Sequence, residues 1–228
     1  MPNELPETTD LVREMQQYYD RRAPVYDHSM GYDDPAIVEA IAPVVEVLCE
    51  EMRERTVLEI ACGPGFWTER VARVARRILA TDYNESTLLL ADKKEMPGRV
   101  DFMRVDAYDL SPINDSFDAA FAVDWLAHVP QSRLSRFLVG LHDHLSLGAR
   151  ITFCDQTPRD TSWTGLYDVE GNHLQERQLS DGSRHRVIKH FFSDDELTRL
   201  FEPYARDLMI RRLAGARRVL VSYTLAPR

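Results

Sequence analysis

Residues 56–68 read TVLEIACGPGFWT, and this stretch decides the fold. Thr56 to Ala61 is a short β-branched and aliphatic run, the composition of a buried strand. It stops at Cys62-Gly63-Pro64-Gly65, a turn whose glycines let the backbone pass close to a ligand. A helix-like segment from Trp67 to Arg76 follows. Strand, glycine-rich turn and helix, in that order, open a βαβ unit.

The alternation continues downstream. A strand over Ile78 to Thr81 ends on Asp82, and a helix surrounds Glu85 to Lys93. Strands at Val100 to Val105 and Phe117 to Val123 end on Asp106 and Asp124. A helix over Gln131 to Leu145 precedes a strand, Arg150 to Cys154, that ends on Asp155. Such alternation predicts right-handed crossovers and a parallel sheet. Upstream, Asp33-Asp34-Pro35 opens a helix with Ile37, Ile41, Val44, Leu48 and Met52 on one face and Pro43 inside it. Leu11 to Tyr26 reads as a short helix leading into a loop. Beyond Asp155, the segments Gln175 to Leu179 and Arg184 to Lys189 flank Ser180-Asp181-Gly182-Ser183, a hairpin turn. Ser193 and Glu196 form a capping box for a helix through Leu200. Two extended runs, Leu208 to Leu213 and Arg217 to Leu225, close the chain.

The 228 residues suit one α/β domain. A net charge of -9 disfavours a nucleic-acid partner, which needs clustered Lys and Arg. The short basic groups (Arg73, Arg76, Arg77; Arg211, Arg212; Arg217, Arg218) read as solvated. Cys49, Cys62 and Cys154 form no CxxC pair and read as reduced, buried thiols. Met1 to Asp10 is polar rather than a leader, and no apolar run approaches the ~20 residues of a membrane span. The expectation is a cytoplasmic protein without a membrane partner. His142, His144, His173, His185 and His190 form no zinc pattern and are expected at the surface; no metal is expected.

Asp82, Asp106, Asp124 and Asp155 fall at strand ends, where open α/β sheets bind ligands, and Glu59 lies near the end of the first strand. A carboxylate row there suits a ligand rich in donors, such as ribose hydroxyls, an ammonium and an adenine amine. These residues carry a resemblance. Val57 to Thr68 resembles the first motif of class I S-adenosylmethionine-dependent methyltransferases of the small-molecule type. Leu79 to Asp82 resembles the second motif, Val105-Asp106-Ala107 the third, and Phe117 to Asp124 the fourth. The resemblance implies a Rossmann-like three-layer α/β sandwich with a seven-stranded, mostly parallel sheet, one terminal strand antiparallel, and an inserted β-hairpin.

It also implies a cofactor, S-adenosyl-L-methionine, with S-adenosyl-L-homocysteine as product. Ala61, Gly63 and Gly65 would pass its methionine part and Glu59 would anchor the ammonium. Asp82, with Tyr83 beside it, would hold the ribose, and Asp106 with Ala107 the adenine. Trp67 and Asp124 complete the expected cofactor-binding residues, although Ala61 and Trp67 stand where the family commonly has glycines. Tyr18 to Asp27 resembles a lid, with Tyr19 and Tyr26 closing over cofactor or substrate; ordinary aromatic packing is the alternative. Asp124 and His128, four residues apart, are the catalytic candidates, His128 as a general base or as a structural residue.

A dinucleotide enzyme is disfavoured by Pro64, the bulky Phe66-Trp67 and the charge of Glu59, all near where a pyrophosphate would sit. A magnesium site built on Asp124 and Asp155-Gln156 is the weaker variant. The expected organisation is one domain over 1–228, with a lid segment over 1–34 and an inserted substrate cover over 156–192, where Trp163, Tyr167 and Phe191 could wall a pocket. The expected activity is methyl transfer to N or O of a small molecule by a monomer or homodimer. A protein or peptide methyltransferase, or an inactive cofactor-binding regulator, is the alternative.

Overall fold

A computed structural model of the chain describes residues 5–227. Residues 1–4 of the expected lid segment, and Arg228, lie outside the described residues. Helix α1 (Thr8–Arg22) runs through a 3-10 turn, Ala23–Val25, into α2 (Tyr26–Met30). The loop expected after Tyr26 is therefore helical, and it ends at Gly31 in the left-handed conformation. Helix α3 (Pro35–Met52) starts on the Asp34 cap, whose carboxylate accepts from the Ala36 amide, and Pro43 does not break it.

The alternating core follows: β1 (Thr56–Ile60), α4 (Phe66–Val71), β2 (Arg77–Asp82), α5 (Glu85–Ala91), β3 (Val100–Arg104), β4 (Phe117–Val123), α6 (Leu134–Asp143) and β5 (Leu145–Gln156). Next come β6 (Leu166–Tyr167), β7 (His173–Gln178), β8 (Arg184–Ile188), α7 (Asp194–Phe201), β9 (Ala205–Leu213) and β10 (Arg218–Leu225). Ser193 and Glu196 make the expected capping box on α7.

Seven strands form one sheet in the order β3-β2-β1-β4-β5-β10-β9. β1 to β5 are mutually parallel, and β10 runs antiparallel to both neighbours, β5 and β9. The antiparallel strand is thus the last in the chain but not at the sheet's edge. The chain leaves β1 outward through β2 and β3, then returns to β4 on the other side. That reversal opens a crevice at the carboxyl ends of β1 and β4.

Alternate residues of each strand feed opposite faces, so both faces are apolar. Leu58, Ile60, Ala120, Ile151 and Phe153 pack against α6 and α7, with Phe137, Leu141, Leu197 and Phe201. Val57, Ile78, Ala119, Phe121 and Leu220 pack against α3 and α4, with Val44, Leu48, Met52 and Val71. The Rossmann-like three-layer sandwich is as expected from the motif order.

The insertion forms three strands, β6-β7-β8, rather than a simple hairpin. It carries the lid. Leu11, Val12, Met15 and Tyr18 of α1 share a core with Leu174, Val187 and Ile188. Glu14 accepts from the Arg186 amide, and Arg21 pairs with Asp181 in the Asp-Gly turn. Three histidines depart from the surface placement expected of them, because the insertion and β10 cover them: His142, His173 and His190 are buried. The His142 Nε2 lies 2.7 Å from the Tyr223 hydroxyl. Cys62 and Cys154 are buried free thiols and Cys49 is half-buried. Among the described residues, no helix is long and apolar enough to cross a membrane.

Candidate functional site

The β1–α4 turn is built from left-handed backbone. Ala61, Gly63 and Gly65 have φ of 54°, 55° and 82°. At Gly65 a Cβ would lie 3.1 Å from both Ala91 and Met96, so this glycine lets the turn press against the end of α5. At Gly63 a Cβ would meet nothing within 4 Å, because that face opens onto a cleft. Ala61 holds a conformation that disfavours any L side chain by about 1 kcal/mol. We expect Ala61→Gly to raise unfolding free energy by roughly 0.5–1 kcal/mol in urea titrations. A loss of stability would mean that the methyl's packing outweighs the strain.

The cleft is concave and mostly apolar, with a few convergent polar groups, the usual form of a small-molecule site. Its wall brings together most residues singled out from sequence. Ala61 and Gly63 come from the turn, Asp82 and Tyr83 from the end of β2, and Asp106 and Ala107 from beyond β3. Asp124 and His128 follow β4, and Tyr19 and Tyr26 close it from the N-terminal helices. Val12, Met15 and Gln16 of α1, and Tyr108 and Trp125, also line it, and none of these was picked from sequence. The apolar spacing of Val12 and Met15 was the available signal, but it does not say which surface α1 covers.

Three named residues do not line the cleft. Gly65 caps α4, behind the turn. Trp67 is turned into the core, where its indole N–H donates to the Tyr32 hydroxyl at 3.2 Å and its ring meets Phe66 and Tyr32 edge-on. Trp67 is thus a packing residue between α4 and the start of α3, which corrects its grouping with the cofactor residues. Glu59 is buried beneath the turn with its Oε2 unpartnered. Burial pushes its carboxyl pKa up to about 8.

Asp82 organises the floor. Its Oδ2 accepts from the Gly63 amide at 3.0 Å and its Oδ1 from the Asn84 amide at 2.9 Å, which ties the glycine turn to the end of β2. Burial raises its pKa, and these amide bonds oppose the rise. Asp106 accepts from the Tyr108 amide at 2.9 Å.

On the opposite wall His128 lies 2.6 Å (Nδ1) from the Ile188 carbonyl and 3.0 Å (Nε2) from the Tyr19 hydroxyl. A carbonyl can only accept, so Nδ1 carries the proton and Nε2 is left as acceptor to Tyr19. Burial, and next the Lys189 charge, hold the imidazole pKa well below its ordinary value. The ring is neutral. Burial raises the Tyr19 pKa, so its hydroxyl stays a donor.

Asp124 has φ of 56° and pairs with Arg218 at 2.9 Å, each side chain only 6% exposed. Arg218 was expected on a solvated face. It is buried instead, because antiparallel β10 begins beside Gln156, at the carboxyl end of β5. Asp155 accepts from the Ala127 amide at 3.2 Å, and burial raises its pKa to about 7. Both carboxylates of the considered magnesium site therefore have protein partners. Among the described residues no group of three or more His, Cys, Asp or Glu side chains could hold a metal. Phe191 faces a neighbouring cavity, whereas Trp163 and Tyr167 flank His173 with about half of each exposed, outside the pocket wall expected of them.

Known proteins share this layout. Residues 57–148 match the family model described as a methyltransferase domain. The chain is 28% identical over 171 residues to the methyltransferase GfsG of Streptomyces halstedii, covering 65% of this chain and 60% of that protein. It is 31% identical over 150 residues to the demethylmenaquinone methyltransferase of Clavibacter sepedonicus, covering 64% and 56%. The matches span about three fifths of the curated relatives' lengths. Among solved structures, DhpI in complex with SAM and HEP superposes with a TM-score of 0.79 at 25% identity, covering 95% of this chain and 99% of that one.

The buried Glu59 oxygen without a partner, the open face at Gly63 and the acid row suit the ammonium, methionine chain and ribose of S-adenosylmethionine. Residues 57–148 thus match a methyltransferase domain, and the fold is shared almost end to end with a protein solved in complex with SAM.

Proposed function

We propose that the chain transfers a methyl group from S-adenosylmethionine to an oxygen or nitrogen of a small molecule. The observation that carries this reading is the closure of the cleft. Tyr19 and Tyr26 roof a floor of strand-end carboxylates, the concave, aromatic-walled form usual for a small-molecule site. The names of the relatives point the same way, since demethylmenaquinone is a small organic acceptor.

The cofactor, when bound, supplies a methyl carbon made electrophilic by its sulfonium. In this reading the chain's own residues do the rest. Asp82 accepts from the ribose hydroxyls while keeping the glycine turn in place. Asp106 and the Ala107 backbone take the adenine edge, and Glu59, favoured as a carboxylate by the positive charge of a neighbouring ammonium, holds the amino acid end. The N-terminal tyrosines and Met15 keep water out, and His128 presents a neutral Nε2 that can accept the acceptor's proton.

Calorimetric titration with S-adenosylmethionine, S-adenosylhomocysteine and NADH tests the reading. Saturable binding of the first two without the third is expected. Asp82→Ala should weaken that binding about 10²-fold, since hydrogen bonds to a charged group contribute roughly 1.5–3 kcal/mol. Binding of NADH alone would sink the proposal.

A further inference from the structure

A second, open cavity lies beside the cofactor cleft, lined by residues of α2, α3, the insertion and the start of β10. The Asp124–Arg218 ion pair stands between the two: Asp124 lines the cleft and Arg218 lines the cavity. The cavity wall carries Arg159, Arg177, Lys189, Arg217 and Arg218, and no carboxylate. In a chain with 37 acidic and 28 basic residues, five cations around one hollow without an acid is a pronounced charge separation.

These charges are poorly compensated from within. Arg218 has Asp124. The Arg177 guanidinium donates to the Gln175 amide oxygen and that of Arg217 to the Thr157 carbonyl, both neutral partners. Lys189 is 3% exposed, and among the described residues its ammonium makes no hydrogen bond or ion pair. Asp124 and Asp155 act on it only through their fields, against Arg218 and Arg177, and burial lowers its pKa. A buried cation without a hydrogen-bond acceptor or counterion is costly, and the Phe191 ring 5.9 Å from its ammonium offsets only part of that cost. Gln156, Thr161 and Ser162 add neutral polar groups to the same wall.

We propose that this cavity is the acceptor subsite, and that it binds a small molecule through a multiply charged oxyanion group. Guanidinium forks match the paired oxygens of carboxylate or phosphoryl groups, and the Lys189 ammonium adds a further donor on the same wall. Four cations beyond the Asp124 pair favour a group bearing more than one negative charge. The inference rests on the methyltransferase reading for what the bound molecule does, not for its binding.

The test is calorimetric titration of the full chain, with and without S-adenosylhomocysteine, using inorganic phosphate and malonate as probes. Saturable binding of at least one is expected, weakened about tenfold or more in Lys189→Met and in Arg177→Gln. Which probe binds distinguishes a phosphoryl source from a carboxylate one. Arg177 is half-buried, so its variant keeps the test usable if Lys189→Met fails to fold. Binding of neither probe, or binding that a folded variant leaves unchanged, overturns the subsite. Failure of S-adenosylhomocysteine to bind while phosphate or malonate does would overturn the methyltransferase reading and leave the subsite standing.

Discussion

Arg218→Met is expected to destabilise the protein by about 3–5 kcal/mol, the usual consequence of removing one partner of a buried ion pair. Arg218 and Asp124 are buried alike, and their contact is a direct 2.9 Å bond. Burial, the largest single influence, lowers the guanidinium pKa; Asp124 together with the weaker fields of Cys154, Tyr32 and Asp155 outweighs it, and the net shift is upward. The pair is therefore held together electrostatically, and methionine would leave the Asp124 carboxylate without a counterion. Its Oδ2 already has no hydrogen-bond partner.

The loss should appear as a lower urea midpoint and a Tm reduced by about 10 °C, given the usual 2–4 °C per kcal/mol for a domain of this size. Asp124→Asn combined with Arg218→Met should recover most of it, because the amide needs no counterion. A single-variant loss below about 1 kcal/mol would show that water reaches the pair and screens it.

His128→Ala is expected to slow turnover by about 10²- to 10⁴-fold while leaving S-adenosylhomocysteine affinity unchanged, the range ordinarily lost with a general base. The Ile188 carbonyl fixes the Nδ1 proton, so Nε2 keeps its lone pair, which accepts from the Tyr19 hydroxyl at the cleft. Because the imidazole pKa is depressed, the ring stays neutral above the ordinary histidine range and protonates only as pH falls well below it. The acid limb of kcat/KM should accordingly lie below pH 6.5, and His128→Ala should abolish it.

Added imidazole should restore part of the rate if His128 handles a proton, whereas a residue that only secures the lid gains nothing from it. Tyr19→Phe separates direct from relayed transfer: retained turnover assigns the proton to Nε2 itself. Equal loss of cofactor binding in His128→Ala would remove the base role and leave His128 as the latch between α1, β8 and the strand ends.

Much of this arrangement was legible in the chain because its signals are local. Each of β2 and β4 announced itself by an apolar run closed by an acid, and the glycine turn by three residues. The register of acids along the strand ends follows directly, since parallel strands put equivalent ends on one side. Other features lacked a local signal. Trp67 follows the turn and shares its neighbourhood in sequence, but one step around α4 rotates it from the cleft into the core. His142, His173 and His190 sit in ordinary polar contexts and are buried only by elements far away in the chain. The helical continuation at Tyr26–Met30 was hidden by Pro24, which suits the first turn of a 3-10 segment as well as a loop.

The sequence by itself determined the three-layer sandwich, the glycine turn and the acid row, because strand period, turn chemistry and crossover handedness act over short stretches of chain. The tertiary structure alone decided which charges and rings meet across it. Tyr19 reaches His128 over 109 residues and Arg218 reaches Asp124 over 94, contacts that exist only because α1 docks on the inserted sheet and β10 returns antiparallel beside β5. Lys189 joins them by the same route. Those placements depend on how whole elements pack and on burial that strips charge of water, and neither is written in the pattern of neighbouring residues.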